Sequence, residues 1–319
     1  MTDHWTDRRV LVTGGTGFLG RSVVARFQAA GADVVAPPSS EADLRDPVAT
    51  DELFAQVRPD TVVHLAARVG GIGYNQIHPA ELYLDNLLMG TYVVESARKH
   101  DVAKTVLVGT VCSYPKEPPV PFSEDSLWNG YPEETNAPYG LAKLSHLVHA
   151  QTVRQQYGQN VIYLIPTNLY GPGDKFNPAV SHVIPALIKK CVEAVESGAD
   201  HIELWGTGSA SREFLYVDDA ALGILQASEH YDDPEPVNLG TDHETPIREL
   251  AVQIAEVTGF TGELRWDSSK PDGQPRRRVD NTRARESFGF EAGTDFGEGL
   301  EATVKWYLAN REEAEARTN

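Results

Sequence analysis

The chain has 319 residues, 41% of them hydrophobic, enough to bury a sizeable core and to build two domains or one domain with an appended lobe. Its formal charge of -18 sets a broadly negative field that disfavours nucleic acid and anionic membranes as partners, so any phosphate site must be locally basic. No apolar run is long enough to span a membrane, MTDHWTDRRV lacks the stretch of a signal peptide, and Cys112 and Cys191 fall in different predicted elements; the expectation is a cytoplasmic enzyme with free thiols and no metal.

In chain order, β-branched runs alternate with helical patterns. Arg9–Val12 precedes a helix over 18–30, Val34–Val35 one over 47–57, Val62–Leu65 one over 79–100, and Val106–Val108 one over 138–157, with Val161–Ile165 closing the series. Strands so continuously hydrophobic are buried on both faces, which predicts an α/β fold with a Rossmann-type, doubly wound parallel sheet. After Tyr170 come a GPGDKFNP loop, a helix from about 182, strands near Ile202–Trp205 and Glu213–Val217, a helix from Asp218 to about 230, a strand at 236–240 and a helix from Thr245 to about 258. Residues 1–175, with 213–245 returning to the same sheet, are expected to form a dinucleotide-binding domain. Residues 176–319, mainly 176–212 and 246–319, form a smaller C-terminal lobe that ends in a helix over 297–310 and a fraying tail, Arg311–Asn319.

The first strand runs into Thr13-Gly14-Gly15-Thr16-Gly17-Phe18-Leu19-Gly20. Gly14, Gly17 and Gly20 permit a tight turn and close backbone approach, and the helix that follows aims its first amides at a pyrophosphate. An acid at the end of the second strand would hold both ribose hydroxyls and select NAD. The sequence there, Val34 to Ser40, carries no carboxylate, and a serine such as Ser39 can bond a 2′-phosphate, so NADP(H) is expected; NAD(H) stays possible because Arg21 alone offers a nearby cation. Asp43-Leu44 and His64-Leu65-Ala66-Ala67 fall where the next turns approach adenine and pyrophosphate.

Tyr139 and Lys143 stand four apart at the start of a helix and project from one face. An adjacent ammonium favours the phenolate and makes Tyr139 a proton donor or acceptor, while Lys143 can also hold a ribose. Thr110 follows the strand that ends at Val108.

With these residues the chain resembles the extended short-chain dehydrogenase/reductase family over essentially its whole length. The resemblance implies a Rossmann domain, a C-terminal nucleotide-sugar lobe, a Ser/Thr-Tyr-Lys triad matched by Thr110, Tyr139 and Lys143, and a homodimer. Further motifs are Val69-Gly70-Gly71-Ile72, Cys112 ahead of Tyr114-Pro115, Pro166-Thr167-Asn168-Leu169-Tyr170-Gly171-Pro172, and Ser181-His182-Val183-Ile184-Pro185-Ala186. Trp205-Gly206-Thr207-Gly208, Arg212-Glu213-Phe214 and Lys270-Pro271-Asp272-Gly273 complete the set, which looks like the GDP-L-fucose synthase branch.

That branch epimerises a GDP-4-keto-6-deoxy sugar at C3 and C5 and then reduces C4 with NADPH. Both carbons are alpha to the ketone, so proton loss gives an enolate whose charge Thr110 and Tyr139 can meet, while inversion needs a base and an acid. By resemblance Cys112 is the base and His182 the acid. The resemblance also implies cofactor contacts from Asn86, Pro166, Asn168, Leu169 and His182, and GDP-sugar contacts from Val69, Gly70, Asn168, Lys190, Trp205, Arg212, Asp272 and Arg277, with Arg212 and Arg277 on the pyrophosphate. Two departures are visible: threonine replaces serine at 110, and Thr16 and Ser39 stand where relatives carry a basic residue. The alternatives are a GDP-sugar epimerase or 4-reductase, for a mannose or heptose, that retains NAD(H), and a silent dinucleotide-binding regulator.

Overall fold

A computed structural model describes residues 3–178, 180–270 and 272–317, so Pro271 of the KPDG motif lies outside the described residues. The first half is a β/α alternation: β1 (Arg9–Thr13), α1 (Phe18–Ala29), β2 (Asp33–Val35), α2 (Pro47–Val57), β3 (Thr61–His64), α3 (Ile72–Ile77), α4 (Pro79–Lys99), β4 (Lys104–Val108), α5 (Ala137–Tyr157) and β5 (Val161–Pro166). The second half holds β6 (Asn168–Tyr170), α6 (Val183–Ser197), β7 (His201–Trp205), β8 (Ser211–Tyr216), α7 (Val217–His230), β9 (Val237–Leu239), β10 (Glu244–Pro246), α8 (Ile247–Thr258), β11 (Glu263–Asp267), β12 (Arg276–Arg277), α9 (Thr282–Phe288), α10 (Phe296–Ala309) and α11 (Arg311–Ala316).

Local chemistry sets these elements. The strand runs TVVH, KTVLV and VIYLIP are buried at every position, as a sheet covered on both faces requires. The Asp46 carboxylate accepts the amides of Val48 and Ala49 and Pro47 opens the first turn, so α2 starts there. Six parallel strands pair in the order β2-β1-β3-β4-β5-β9. Val23 and Phe27 of α1 pack with Ala220, Ile224 and Ala227 of α7 on one face. Leu53, Phe54 and Val93 cover the other beside β1 and β3, while Val94, Leu147 and Ala150 cover it beside β4 and β5. Where α4 meets α5, the buried His146 ring fills the space over Gly90, where an added methyl would lie 2.2 Å from it.

Two expectations are corrected. The segment near Glu213–Val217 does not join the main sheet: β8 pairs with β6, β10 and β12 in a separate sheet, and β9 is the strand that returns to the large one. The tail does not fray up to Arg317. Its α11 is held by buried Ala314, by the Phe176 amide donating to the Ala314 carbonyl at 3.1 Å, and by Lys189 to Glu315 at 2.8 Å; Thr318 and Asn319 lie outside the described residues. A second core of Phe176, Ile184, Ile188, Cys191, Leu250, Ile254, Leu300 and Tyr307 joins α6, α8 and α10. The turn α3 had no sequence prediction.

Candidate active site

The order of the large sheet reverses at β1, whose neighbours are β2 and β3, so a crevice opens at the carboxyl ends of β1 and β3. Both predicted cofactor turns meet there. Gly14 has φ +73 and sits so close to the next loop that a Cβ would fall 2.7 Å from the Ala66 amide nitrogen, and a Cβ on Gly20 would fall 2.1 Å from the Gly14 carbonyl. Gly17 caps α1 without a side-chain bond, so the amides of the first turn face the crevice uncapped. Thr13 fixes the second turn: its hydroxyl bonds His64 Nδ1 at 2.8 Å and accepts the Ala66 amide at 3.5 Å. The glycines let the Gly-rich turn, the Ala66 loop and the start of α1 pack backbone against backbone, the tight turn that a dinucleotide site at a helix N-terminus requires.

Beyond β4 the backbone turns at Thr110, whose hydroxyl accepts the Cys112 amide at 3.2 Å and holds Cys112, half-buried, at the strand end. This turn is latched onto α5. Ser113 Oγ donates to the Gly140 carbonyl at 2.9 Å, and Gly140 lies so near that a Cβ there would stand 2.3 Å from the Cys112 carbonyl. Tyr139 and Lys143 follow on the same helix. Burial pushes the Tyr139 phenol above its ordinary value, the nearby Cys112 adds to this, and a hydrogen bond with Thr110 opposes it. This rise is opposite to the lowering that an adjacent ammonium would produce. Instead Lys143, 2% exposed, donates to the Val108 carbonyl at 3.1 Å, and burial lowers its own pKa to about 8.

The second half of the chain supplies cations to the same place. Arg277 of β12 pairs in parallel register with Arg212 of β8, and Arg277 Nη1 points at Cys112 Sγ from 3.8 Å. Burial lowers the Arg212 pKa to about 10, as does the neighbouring Arg277 charge, while Cys112 raises it. His182 caps α6 and opens to the cleft, yet the protein around its ring holds its pKa below the usual imidazole value, assisted by the charges of Lys175 and Arg277. Gly71 brings the Val69-Gly70 loop against this corner, since a Cβ on it would lie 3.0 Å from the Ser181 carbonyl.

Thr110, Cys112, Tyr139, Arg212, Arg277 and His182 are thus neighbours. Other predicted contacts are engaged with the protein itself. Asn86 is buried and clamps the loop after β3, its amide bonding the Arg68 backbone in both directions at 3.0 and 2.9 Å, so it shapes the cofactor crevice from behind. Leu44 packs into the core against Phe54, and Asp43 pairs with Arg45 at 2.7 Å. Ser39 and Thr16 are exposed, Pro166 is buried in β5, and Leu169 is half-buried in β6. Asn168 donates to the Glu213 carbonyl at 2.8 Å, and Lys190 to the Glu203 carbonyl at 2.8 Å. Asp272 closes the Gly206-Thr207 turn by accepting the Thr207 amide at 2.6 Å and hydroxyl at 2.8 Å. Trp205 leaves 69% of its surface open, with the Lys270 ammonium 5.6 Å from the ring centre.

The sequence marks His64 only as part of a turn near the cofactor and assigns no role to Asp174 or Lys175. His64 is buried with Nε2 unpartnered among the described residues, Lys175 acts on His182, and Asp174 is buried with one carboxylate oxygen unpartnered, its pKa raised to about 7 by burial. The sequence signal for Asp174 and Lys175 was only their position in the loop before His182. A surface depression of about 460 Å³ lined by Ala55, Arg58, Asp60 and His100 lies at the opposite, amino end of β3 and contains none of these groups.

Residues 10–240 match the NAD dependent epimerase/dehydratase family. GDP-L-fucose synthase 1 of Arabidopsis thaliana is 40% identical over 303 residues, covering 95% of this chain and 94% of that protein. GDP-L-fucose synthase of Escherichia coli K12 is 36% identical over 315 residues, covering 96% and 98%. The crystal structure of a GDP-L-fucose synthetase from Naegleria fowleri bound to NADP superimposes with a TM-score of 0.88 at 32% identity, covering 97% of each chain.

Proposed function

The chain belongs to the NAD dependent epimerase/dehydratase family, among its GDP-L-fucose synthases, and from that premise we propose that it converts GDP-4-keto-6-deoxy-D-mannose to GDP-L-fucose with NADPH. One observation carries the reading. Cys112 stands beside both the Thr110–Tyr139 hydroxyl pair and the Arg277 guanidinium, so a carbon acid and its ketone oxygen can be addressed in one place.

The residues divide the work. Thr110 and Tyr139 aim hydroxyls at the C4 oxygen and stabilise the enolate that forms when a proton leaves C3 or C5. Cys112 takes that proton on one face, and His182 returns one on the other. The protein around its ring, with the Lys175 and Arg277 charges as smaller contributions, holds the His182 imidazole neutral, and a diphosphate beside those cations would offset their part of that shift. When bound, NADPH supplies hydride to C4. Tyr139, kept protonated by burial, then donates its proton to the developing alkoxide, with the Lys143 ammonium held below it at the Val108 carbonyl. In this reading Arg212 binds the pyrophosphate, and the open Trp205 face stacks on a base.

We place the cofactor on residues 1–175 with α7 and β9 beside them, and the sugar nucleotide mainly on 176–216 and 244–319. The protein acts as a cytoplasmic homodimer in this reading, with exposed Tyr83 and Leu84 of α4 and Val148 of α5 as the apolar face a second copy covers. Among the described residues no helix is long and apolar enough to cross a membrane. The test incubates the protein with the ketone and NADPH in deuterated water, reading NADPH loss by absorbance and the product by NMR. The expected product is GDP-L-fucose with deuterium at C3 and C5. Exchange without NADPH oxidation would make the protein an epimerase, and neither signal would reject this substrate.

A further inference from the structure

Helix α11 lies across two loops of the site that are far apart in sequence. Arg21, on the first turns of α1, donates from Nε to the Thr16 carbonyl at 3.1 Å and from Nη1 to Glu313 at 3.1 Å. Glu313 also accepts Arg317, whose other guanidinium nitrogen donates to the Gly173 carbonyl. A continuous chain, Thr16–Arg21–Glu313–Arg317–Gly173, therefore joins the Gly-rich turn to the loop ahead of His182.

The Gly173 loop also runs close to the start of α1. A Cβ on Gly173 would lie 3.8 Å from the Phe18 ring and 3.7 Å from Arg317 Nη1. The same loop carries Lys175, whose charge acts on His182, and Phe176 and Asn177, which are pinned to α11 by the Phe176 amide at 3.1 Å and the Asn177 side chain at 3.2 Å. The register of α11 is fixed from behind, because Glu315 accepts Lys189 of α6 at 2.8 Å and the Tyr307 hydroxyl at 2.7 Å. No residue of α11 has been given a role in the reaction.

We infer that α11 is a strap that holds the Gly-rich turn and the Gly173–Lys175 loop in the spacing the cofactor requires, with Glu313 and Arg317 as positioning residues. The inference rests on the Gly-rich turn being the NADP(H) site. Isolated exposed ion pairs contribute little to stability, so the bridge should show in cofactor binding more than in folding. A chain anchored at both ends on backbone carbonyls moves those carbonyls when it is cut.

The test measures NADPH binding by fluorescence, without sugar substrate, for the wild type, Arg21→Ala, Glu313→Gln, Arg317→Ala and the Arg21→Ala/Glu313→Gln pair, alongside thermal melting. Each single variant should weaken NADPH binding by about threefold or more with a near-unchanged melting temperature, and the pair should be no worse than its weaker member, because the two residues act through each other. Raising salt should weaken the wild type toward the variants and leave the variants less affected. Unchanged NADPH affinity in all four variants, or losses that add fully in the pair, would overturn the strap. A wild type that binds no NADPH would overturn the cofactor reading and the strap with it, which separates the two failures.

Discussion

Cys112 shows how much a single residue's surroundings decide. A lone cysteine is often a small core hydrophobe, and Cys191 is one, 1% exposed with its thiol pKa pushed up to about 11 by burial. Cys112 instead sits half-open with a guanidinium donor at its sulfur. Cys112→Ser should slow deuterium exchange at C3 and C5 by about 100-fold or more while NADPH affinity stays within twofold of wild type; exchange at the wild-type rate would return the residue to a structural role. Lys143 gives a pH prediction. Its pKa is lowered from 10.5 to about 8, so the ammonium is present below about pH 8 and is lost as pH rises through it, whereas Tyr139 is pushed upward and stays protonated. The kcat/KM for reduction should therefore fall across an alkaline limb near pH 8, and a profile flat from 7 to 9 would contradict this. The Tyr139-Lys143 spacing was legible in the sequence. The direction of the Tyr139 shift was not, because burial outweighs a cation that is turned to a backbone carbonyl.

At the scale of elements, periodicity located the main strands and long helices, since an apolar run between turn signals admits few readings. It missed α3, which has too few residues for a period to show, and it misplaced β8, whose buried residues do not reveal which sheet they join. The tail Arg311–Ala316 reads as charged and polar, and only its partners, the cations Arg21 of α1 and Lys189 of α6 and the Gly173 carbonyl, explain why it orders. The α4–α5 contact offers a test of packing. Gly90→Ala should cost about 1–3 kcal/mol in urea unfolding, because the new methyl meets the His146 ring, and much of that should return in Gly90→Ala/His146→Ala. Equal loss in the single and double variants would place the strain elsewhere.

Over the whole molecule, the site gathers the ends of β1, β3 and β4, the start of α5, the cap of α6 and two short strands, β8 and β12, so no one stretch of sequence carries it. The Gly-rich turn and the Tyr-Lys pair could be seen from spacing alone; the meeting of Arg277 with Cys112 could not, because in Arg276-Arg277-Arg278 only the pairing register selects which arginine faces the sulfur. As a homodimer the protein should elute and scatter light at twice its 34.9 kDa, and introducing Leu84→Glu should halve that mass; a wild type at 34.9 kDa would rule the dimer out. The return of β9 to the large sheet has a consequence for synthesis. Until Val237 has left the ribosome, β5 has no partner on its outer side, and VIYLIP waits as an open hydrophobic edge while the chain from β6 to α7 is made. Fragments ending before residue 237 should therefore collect as insoluble material, and slow translation between β5 and β9 makes the nascent protein dependent on chaperones that cover exposed strands.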